Sequence, residues 1–180
     1  YILGGKEVDG FSSTSTVWYA IINSTGSVQS WSGTTALPST REDHAAVVNN
    51  GYVYVIAGYV NVEAVEGTTS VSYAAVNSNG TIGSWTLTQA LPGSDLAKHA
   101  AVVNKGFLYV IGGYHAADVS LGARTEVRYV AINSSGTLGS WATTTPLPAG
   151  RYDHTAVVNG DYVYVAGGFA GTLGLSTSSV

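Results

Sequence analysis

An arginine, an aspartate and a histidine stand close together twice in this chain, and these residue types can act together in acid–base chemistry. The first set is Arg41, Asp43 and His44. The second set is Arg151, Asp153 and His154. Between them, a partial copy keeps only Lys98 and His99. A catalytic site needs one asymmetric constellation, whereas this group recurs. We therefore expect it to hold backbone groups at a strand entry, with the two arginines as candidate ligand contacts.

One histidine, His115, stands outside that pattern and follows Gly112, Gly113 and Tyr114 at the start of an irregular stretch. The four histidines of the chain share no close metal-ligand spacing, and no acidic calcium loop occurs, so we expect no metal site. The glycine pairs precede no helical pattern, which argues against a phosphate-binding loop. We expect no cofactor and no catalytic residue in this segment.

Several side chains recur at intervals of about 55 residues, which is the mark of a repeat architecture. The tryptophans of this pattern are Trp31, Trp85 and Trp141, and we expect all three to be mostly buried against neighbouring repeats. The other recurring side chains are Pro38, Pro92, Pro148, His44, His99, His154, Tyr19, Tyr73 and Tyr129. So many markers with one period predict three repeat lengths with an incomplete unit at each end.

Each repeat is predicted to form four short strands, which in the second repeat cover residues 44–49, 52–58, 69–76 and 82–89. Asparagine–glycine turns join the first strand to the second and the third to the fourth. The second strand is apolar on both faces, so it should lie between two other layers. Small residues in the first strand suit a place where sheets converge, and Thr and Ser in the fourth suit an outer edge. Antiparallel four-stranded sheets stacked around an axis form a β-propeller.

A glycine pair that closes the second strand, followed by a tyrosine and a tryptophan, resembles the kelch repeat. In the first three units these residues are Gly4, Gly5, Tyr19 and Trp31; Gly58, Tyr73 and Trp85; and Gly112, Gly113, Tyr129 and Trp141. Ala57 departs from the pattern by replacing the first glycine of one pair. The resemblance implies an all-β, kelch-type β-propeller. The family includes scaffolds, ubiquitin-ligase adaptors, lectin-like modules and a few enzymes.

The repeat alignment predicts one propeller domain in four parts. Residues 1–36 are a partial blade with strands B, C and D, 37–90 and 91–146 are blades, and 147–180 are a partial blade with strands A, B and C. Such an incomplete ring needs further blades, because propellers close with typically 4–8. They would come from the rest of a longer chain or from a second copy. The surplus strands at the ends argue against a six-bladed dimer.

The composition restricts the partners. Only 10% of the 180 residues are charged, the net charge is −4 and no basic cluster occurs, so we expect no nucleic-acid partner. No apolar run approaches the length of a membrane-spanning helix. The chain has no cysteine, which excludes from this segment the copper and Tyr–Cys chemistry of some sugar-oxidising kelch enzymes.

We expect a non-enzymatic binding or structural module for a protein or glycan ligand, at a cell surface or outside the cell. The alternative is a segment of a sugar-active kelch-type enzyme whose catalytic residues lie in other blades. In an A-B-C-D meander, the B–C and D–A connections share one end of the blade stack. The B–C connections, at 6–13, 59–67, 114–122 and 169–174, vary in length and content, so recognition is expected there. The candidate ligand contacts are Tyr59, Tyr114, His115, Arg41 and Arg151.

Overall fold

The structure is a computed structural model that describes residues 1–7, 12–61, 66–115, 122–170 and 175–176. These residues form antiparallel strands and no helix, so no helix among them could cross a membrane. The all-β arrangement of kelch-type four-stranded sheets is confirmed. Among the described residues, no hydrogen bonds between the first and last sheets close the array into a ring.

Four successive sheets, called here the first to the fourth, follow the repeats. The first consists of β1 (Ile2–Lys6), β2 (Ser13–Tyr19) and β3 (Ser32–Thr34). The second consists of β4 (Ala45–Asn49), β5 (Tyr52–Ile56), β8 (Val71–Ala75) and β9 (Thr86–Leu87), and its loop carries a hairpin of β6 (Tyr59–Asn61) and β7 (Glu66–Gly67). The third consists of β10 (Ala100–Asn104), β11 (Phe107–Ile111), β12 (Val127–Ala131) and β13 (Ala142–Thr144). The fourth consists of β15 (Thr155–Asn159) and β16 (Tyr162–Ala166), with β14 (Arg151–Tyr152), β17 (Phe169–Ala170) and β18 (Leu175–Ser176) in a small sheet beside it.

Tight turns set the register of the first two strands in a repeat. Asn49 pairs with Tyr52, which leaves a two-residue loop. Its residues, Asn50 and Gly51, have φ values of 47° and 78°, the positive values that a hairpin matching the strand twist requires. The innermost strands β4, β10 and β15 lie next to one another, as the small residues in them predicted.

The core lies between the sheets. We call the surface of each sheet that points toward the next sheet its front face, and the opposite surface its back face. The front face of the second sheet, with Tyr54 and Ile56 fully buried, packs on Leu108 and Val110 at the back of the third. The second strands β5 and β11 are thus buried on both sides, as their sequences predicted. The outer strands β9 and β13 are exposed.

The prediction that all three repeat tryptophans are mostly buried is wrong. Trp31 is 47% exposed, while Trp85 and Trp141 are half-buried. Each half-buried ring packs against the preceding sheet, and the indole N–H of Trp85 donates to the carbonyl of Thr35 at 3.2 Å. Trp31 belongs to the first sheet, and no other sheet of the described residues covers its ring. The burial of each ring therefore depends on the neighbouring sheet rather than on its own.

Candidate functional site: the loop face

The D–A and B–C connections meet at one end of the stack, which we call the loop face. Short antiparallel bridges join them: Glu42 pairs with Tyr59, and Ala97 pairs with Tyr114. In the fourth repeat the same pairing joins β14 to β17. The predicted shared end for these connections is therefore the observed one. In these three repeats, the start of the B–C segment therefore pairs with the backbone of the preceding D–A segment.

A left-handed residue precedes each inner strand. Asp43, Lys98 and Asp153 occupy this position with φ values of 50°, 56° and 53°. Their backbones form a chain between repeats, because the Lys98 N–H donates to the carbonyl of Asp43 and the Asp153 N–H donates to that of Lys98, both at 2.9 Å. The loop face therefore has a regular backbone chain of three hydrogen-bonded residues, whose side chains differ between repeats.

Lys98 links three repeats through its side chain as well. Its ammonium lies 3.1 Å from a carboxylate oxygen of Asp153 and 3.8 Å from one of Asp43. Burial tends to lower the pKa of Lys98, but the hydrogen bond to Asp153 and the two carboxylate charges outweigh burial and raise it. About a third of each of the three side chains is exposed. A cation between two carboxylates, with all three side chains partly exposed, therefore lies on the loop face next to the innermost strands.

Aromatic rings form a row beside this ion cluster. The rings of Tyr114 and Tyr152 are 5.3 Å apart, and Phe169 stacks on Tyr152 at 5.4 Å. Tyr59 extends the row in the other direction through its contact with Ala97, which pairs with Tyr114. Burial, followed by the charge of Asp43 and other neighbouring acidic groups, raises the pKa of Tyr59 to about 12, so its hydroxyl is protonated at neutral pH.

A carboxylate and an imidazole also meet at this end. Nδ1 of His115 lies 3.1 Å from Oδ1 of Asp95, and these side chains are 10% and 13% exposed, respectively. Asp95 comes from a D–A connection and His115 from a B–C connection, so their pairing depends on the fold. Gly67 makes room for it, because a Cβ there would overlap the carboxylate of Asp95.

The two candidate arginines point into the protein. Nη1 of Arg41 donates to the carbonyl of Ala57 at 2.8 Å and to Oγ of Ser70 at 3.1 Å. Nη1 of Arg151 donates to the carbonyl of Gly167, the position equivalent to Ala57, at 2.9 Å. Burial lowers the pKa of Arg41. Both guanidinium groups thus hold the backbone where the second strand of their repeat ends.

The repeat histidines lie beneath the loop face. Burial, followed by the charge of Arg41, lowers the pKa of His44 to about 4. Burial, followed by His44 and His154, lowers that of His99 to about 3, and burial is the main cause of a lower pKa at His154. At neutral pH these imidazoles are uncharged core groups. Among the described residues, no group of three potential ligands is placed to hold a metal ion.

The five predicted ligand contacts therefore share one end of the molecule but differ in setting. Tyr59, Tyr114 and His115 line the row and the pair described above, whereas the two arginines bind backbone, and all five are largely buried. Their contact with a ligand stays a prediction. The sequence analysis missed Tyr152. The available signal was its position in the repeat, because Tyr152 aligns with Glu42 and Ala97, which pair with Tyr59 and Tyr114. Three acidic residues of the B–C connections, Asp9, Glu63 and Asp118, lie outside the described residues.

Comparison with known proteins supports the repeat assignment. The kelch motif matches residues 150–180. No curated protein matches the chain significantly in sequence. The solved structure of YjhT superimposes with a TM-score of 0.71 at 16% sequence identity, over 97% of this chain and 50% of that one.

The chain thus spans half the length of the propeller protein that it resembles in structure, and identity this low establishes the fold alone. The motif match, the repeat markers and the stacked four-stranded sheets agree with one another. Together they support a kelch-type β-propeller, with the kelch motif itself matched over residues 150–180.

Proposed function

We propose that this chain is a non-enzymatic binding module that recognises a protein or glycan ligand on its loop face. The observation that carries the proposal is the contrast between the two ends. At the opposite end, Gly26, Gly80 and Gly136 of the C–D turns have φ values of 84°, 85° and 84°, so those turns are copies of one another. On the loop face the backbone before the inner strands repeats as well, with φ values of 50°, 56° and 53°, but the side chains there are those of Asp43, Lys98 and Asp153. A varied surface on a repeated scaffold is suited to recognition.

The chemistry of the loop face favours a ligand with both apolar and polar surface. In the row of Tyr114, Tyr152 and Phe169 the first two rings are 8% and 7% exposed, so the apolar contact with a sugar ring or a peptide side chain would be made mainly by the partly exposed Phe169. Lys98, with its two carboxylates, offers a donor and acceptors beside that row. Kelch repeats generally mediate protein interactions, which is consistent with this assignment. Further kelch-type blades, from the rest of a longer chain or from a second copy, would complete the ring.

We place the module outside the cell or at its surface. Only 10% of its residues are charged, and Ser, Thr and Asn fill the polar positions instead. Three Asn-x-Ser/Thr sequences begin at Asn23, Asn79 and Asn133, all in C–D turns. Protease treatment of intact source cells tests the location, because a surface protein is cleaved while the cells stay sealed. Protection of the chain until the cells are lysed would contradict it.

A sugar-active enzyme is the second candidate function, and the Asp95–His115 pair favours it. A carboxylate beside an imidazole is a residue pair used in general acid–base catalysis, and here Asp95 and His115 lie 3.1 Å apart without a hydrogen bond between them. The remaining catalytic groups would come from other blades. A turnover screen on mono- and oligosaccharides tests this candidate with His115→Asn as the matched variant. Turnover that the variant abolishes would establish an enzyme, whereas binding without turnover supports the module.

The binding proposal is tested on arrays of glycans and cell-surface proteins. One variant combines Tyr59→Phe, Tyr114→Phe and His115→Asn, which remove polar atoms while preserving most of the packing. The matched control combines Asn23→Ala, Asn79→Ala and Asn133→Ala at the opposite end. We expect the first set to weaken any observed binding at least tenfold and the second to leave it unchanged. Loss with the asparagine set alone, while both proteins stay folded, would overturn the assignment of the face.

A further inference from the structure

The charges of the chain are unevenly divided between its two ends. In the A–B and C–D turns of the described residues, the only charged side chains are Lys105 and Asp161, and they form an ion pair with each other. These two charges cancel, so the net charge of −4 belongs to the rest of the chain. The D–A connections of the loop face carry the carboxylates of Glu42, Asp43, Asp95 and Asp153. The loop face is therefore the acidic end of the molecule.

The arginines near this end are already engaged elsewhere. The guanidinium groups of Arg41 and Arg151 point into the protein and donate to backbone carbonyls. Those of Arg124 and Arg128 lie 4.0 and 3.2 Å from Oε2 of Glu126. None of the four forms an ion pair with a carboxylate of the D–A connections among the described residues.

Lys98 shows how the loop face holds a cation. Its ammonium lies between the carboxylates of Asp43 and Asp153. It also lies over the ring of Tyr152, 6.0 Å from the centroid, which is the distance of a cation–π contact. Carboxylates beside a tyrosine ring are thus a setting in which this chain binds a positive charge.

Tyr59 has a similar setting, but no cation of the chain occupies it. The backbones of Glu42 and Tyr59 exchange hydrogen bonds of 3.1 and 2.9 Å, so their side chains lie side by side on one face of the bridge. The charges of Asp43 and Asp95 act on the Tyr59 hydroxyl as well. Among the described residues, no ion pair joins Glu42 to a lysine or an arginine.

Glu42 is the carboxylate that most lacks a partner. It is 7% exposed, and its Oε2 atom is buried without a hydrogen bond among the described residues. Burial raises the pKa of Glu42, and although the charges of Lys6 and Lys98 oppose this, the pKa stays above its usual value. A buried charge without a partner is costly, so a positive charge brought by a ligand would stabilise it.

We propose that the partner of the loop face is a protein segment rich in lysine and arginine, with one of its cations held beside Tyr59 by Asp43 and Glu42. The side chain of Asp43 is 37% exposed and makes the direct contact, whereas the buried Glu42 strengthens the field beneath it. Asp95 and Asp153 continue the acidic surface into the next two repeats. Carboxylates from three successive repeats suit an extended segment with several cations. The inference rests on the proposed binding function and names the chemistry of the partner.

The test measures the binding of labelled peptides to the 180-residue chain by fluorescence anisotropy. One set of peptides contains arginine and lysine. A second set replaces them with citrulline and acetyl-lysine, which keep the shape without the charge, and a third set contains glutamate. We expect the basic set to bind at least tenfold more tightly than the other two, and its affinity to fall as salt is added. Equal binding of the charged and neutral sets would overturn the proposal. Spermine that binds as tightly as the basic peptides would contradict a protein segment.

Two variants separate a defined site from attraction by net charge. Glu42→Gln removes a negative charge beside Tyr59, and Asp161→Asn removes one at the opposite end, so both change the net charge equally. We expect Glu42→Gln to weaken the binding of the basic peptides by about fivefold or more, and Asp161→Asn to weaken it by less than about twofold. Equal effects of the two variants would show attraction by net charge alone and would overturn the site.

Urea unfolding of the free chain provides a second readout. Glu42→Gln should leave the midpoint unchanged or raise it, because it removes a buried charge that has no partner in the chain. A lower midpoint would reveal an internal partner of Glu42 and contradict the proposal. Binding of a neutral or acidic ligand that is lost in the triple variant of Tyr59, Tyr114 and His115 would overturn the basic partner while the loop-face function stands. If no ligand binds the loop face, both fail.

Discussion

The hydroxyl of Tyr54 in the second sheet donates to the carbonyl of Gly136 in the third, across 82 residues of sequence and at 2.9 Å. The tyrosine is fully buried, and burial together with neighbouring tyrosines raises its pKa to about 12. The bond therefore joins a neutral donor to a backbone acceptor inside the interface. Because Tyr1 makes the same bond to Gly80, this contact belongs to the way in which successive sheets recognise each other.

Replacing Tyr54 by Phe should destabilise the chain by about 1–2 kcal/mol, since one buried hydrogen bond is lost and the Gly136 carbonyl loses its partner. Tyr109 is the equivalent residue of the third sheet, and it lies in a groove of about 350 Å³ beside the fourth sheet. Tyr109→Phe is therefore the matched control, with an expected change below about 0.5 kcal/mol. Urea unfolding of both variants measures the difference. Equal losses would show that the bond contributes nothing.

The tryptophans should differ in energy as they differ in burial. Trp85→Ala should cost about 2–3 kcal/mol, less than the 3–5 kcal/mol of a fully buried aromatic residue, because its ring is half-buried. Trp31→Ala should cost less than about 1 kcal/mol, since no sheet of the described residues covers the ring. Denaturant unfolding at low protein concentration checks both. A larger loss of stability at Trp31 than at Trp85 would contradict the packing of Trp85 against the first sheet and the exposure of Trp31.

Lys98 tests the ion cluster of the loop face. Lys98→Asn introduces a residue type that tolerates the positive φ of this position and removes the charge between Asp43 and Asp153. We expect a loss of about 0.5–1 kcal/mol at low ionic strength, because partly exposed ion pairs are weak. The loss should shrink in 1 M salt, where the screening length is about 3 Å. A loss that does not change with salt would mean that packing, not charge, is the contribution of Lys98.

The sequence predicts the fold much better than it predicts the loop face. The sheets and their order follow from signals that can be read directly along the chain. These are the regular spacing of Trp31, Trp85 and Trp141 and the turn sequence at Asn50. The Asp95–His115 pair joins two separate connections and has no spacing that could reveal it. The exposure of Trp31 likewise depends on which sheet lies opposite. Properties that depend on two distant segments are the ones that repeat spacing does not encode.

The buried histidines should make the fold acid-sensitive. The pKa values of His44 and His99 are lowered to about 4 and about 3, and an unfolded histidine titrates near 6.5. The unfolded chain therefore binds protons first as the pH falls. Stability is fully present above pH 6.5 and declines below it, by up to about 1.4 kcal/mol per pH unit for each histidine.

Urea unfolding between pH 7 and pH 5 measures this slope before most carboxylates titrate. His99→Leu should flatten the slope, because the imidazole of His99 is buried and leucine does not titrate. An unchanged slope in that variant would show that His99 is not a source of the acid sensitivity.

The second glycine of each pair should be strongly required for stability only where a D–A segment lies close to the position that a Cβ would take. At Gly113, with φ 103°, an added Cβ would lie 2.8 Å from Cβ of His99 and 2.9 Å from the carbonyl of Ala97. Gly5 occupies the same motif position with φ 114°, but it has no atom within 4 Å of such a Cβ. Gly113→Ala should therefore cost about 3–5 kcal/mol, from the clash and the unfavourable backbone together, whereas Gly5→Ala should cost about 1–2 kcal/mol from the backbone alone. Thermal and urea unfolding of the two variants provide the comparison. If both lose the same amount, the close approach of the D–A segment is not what selects glycine at this position.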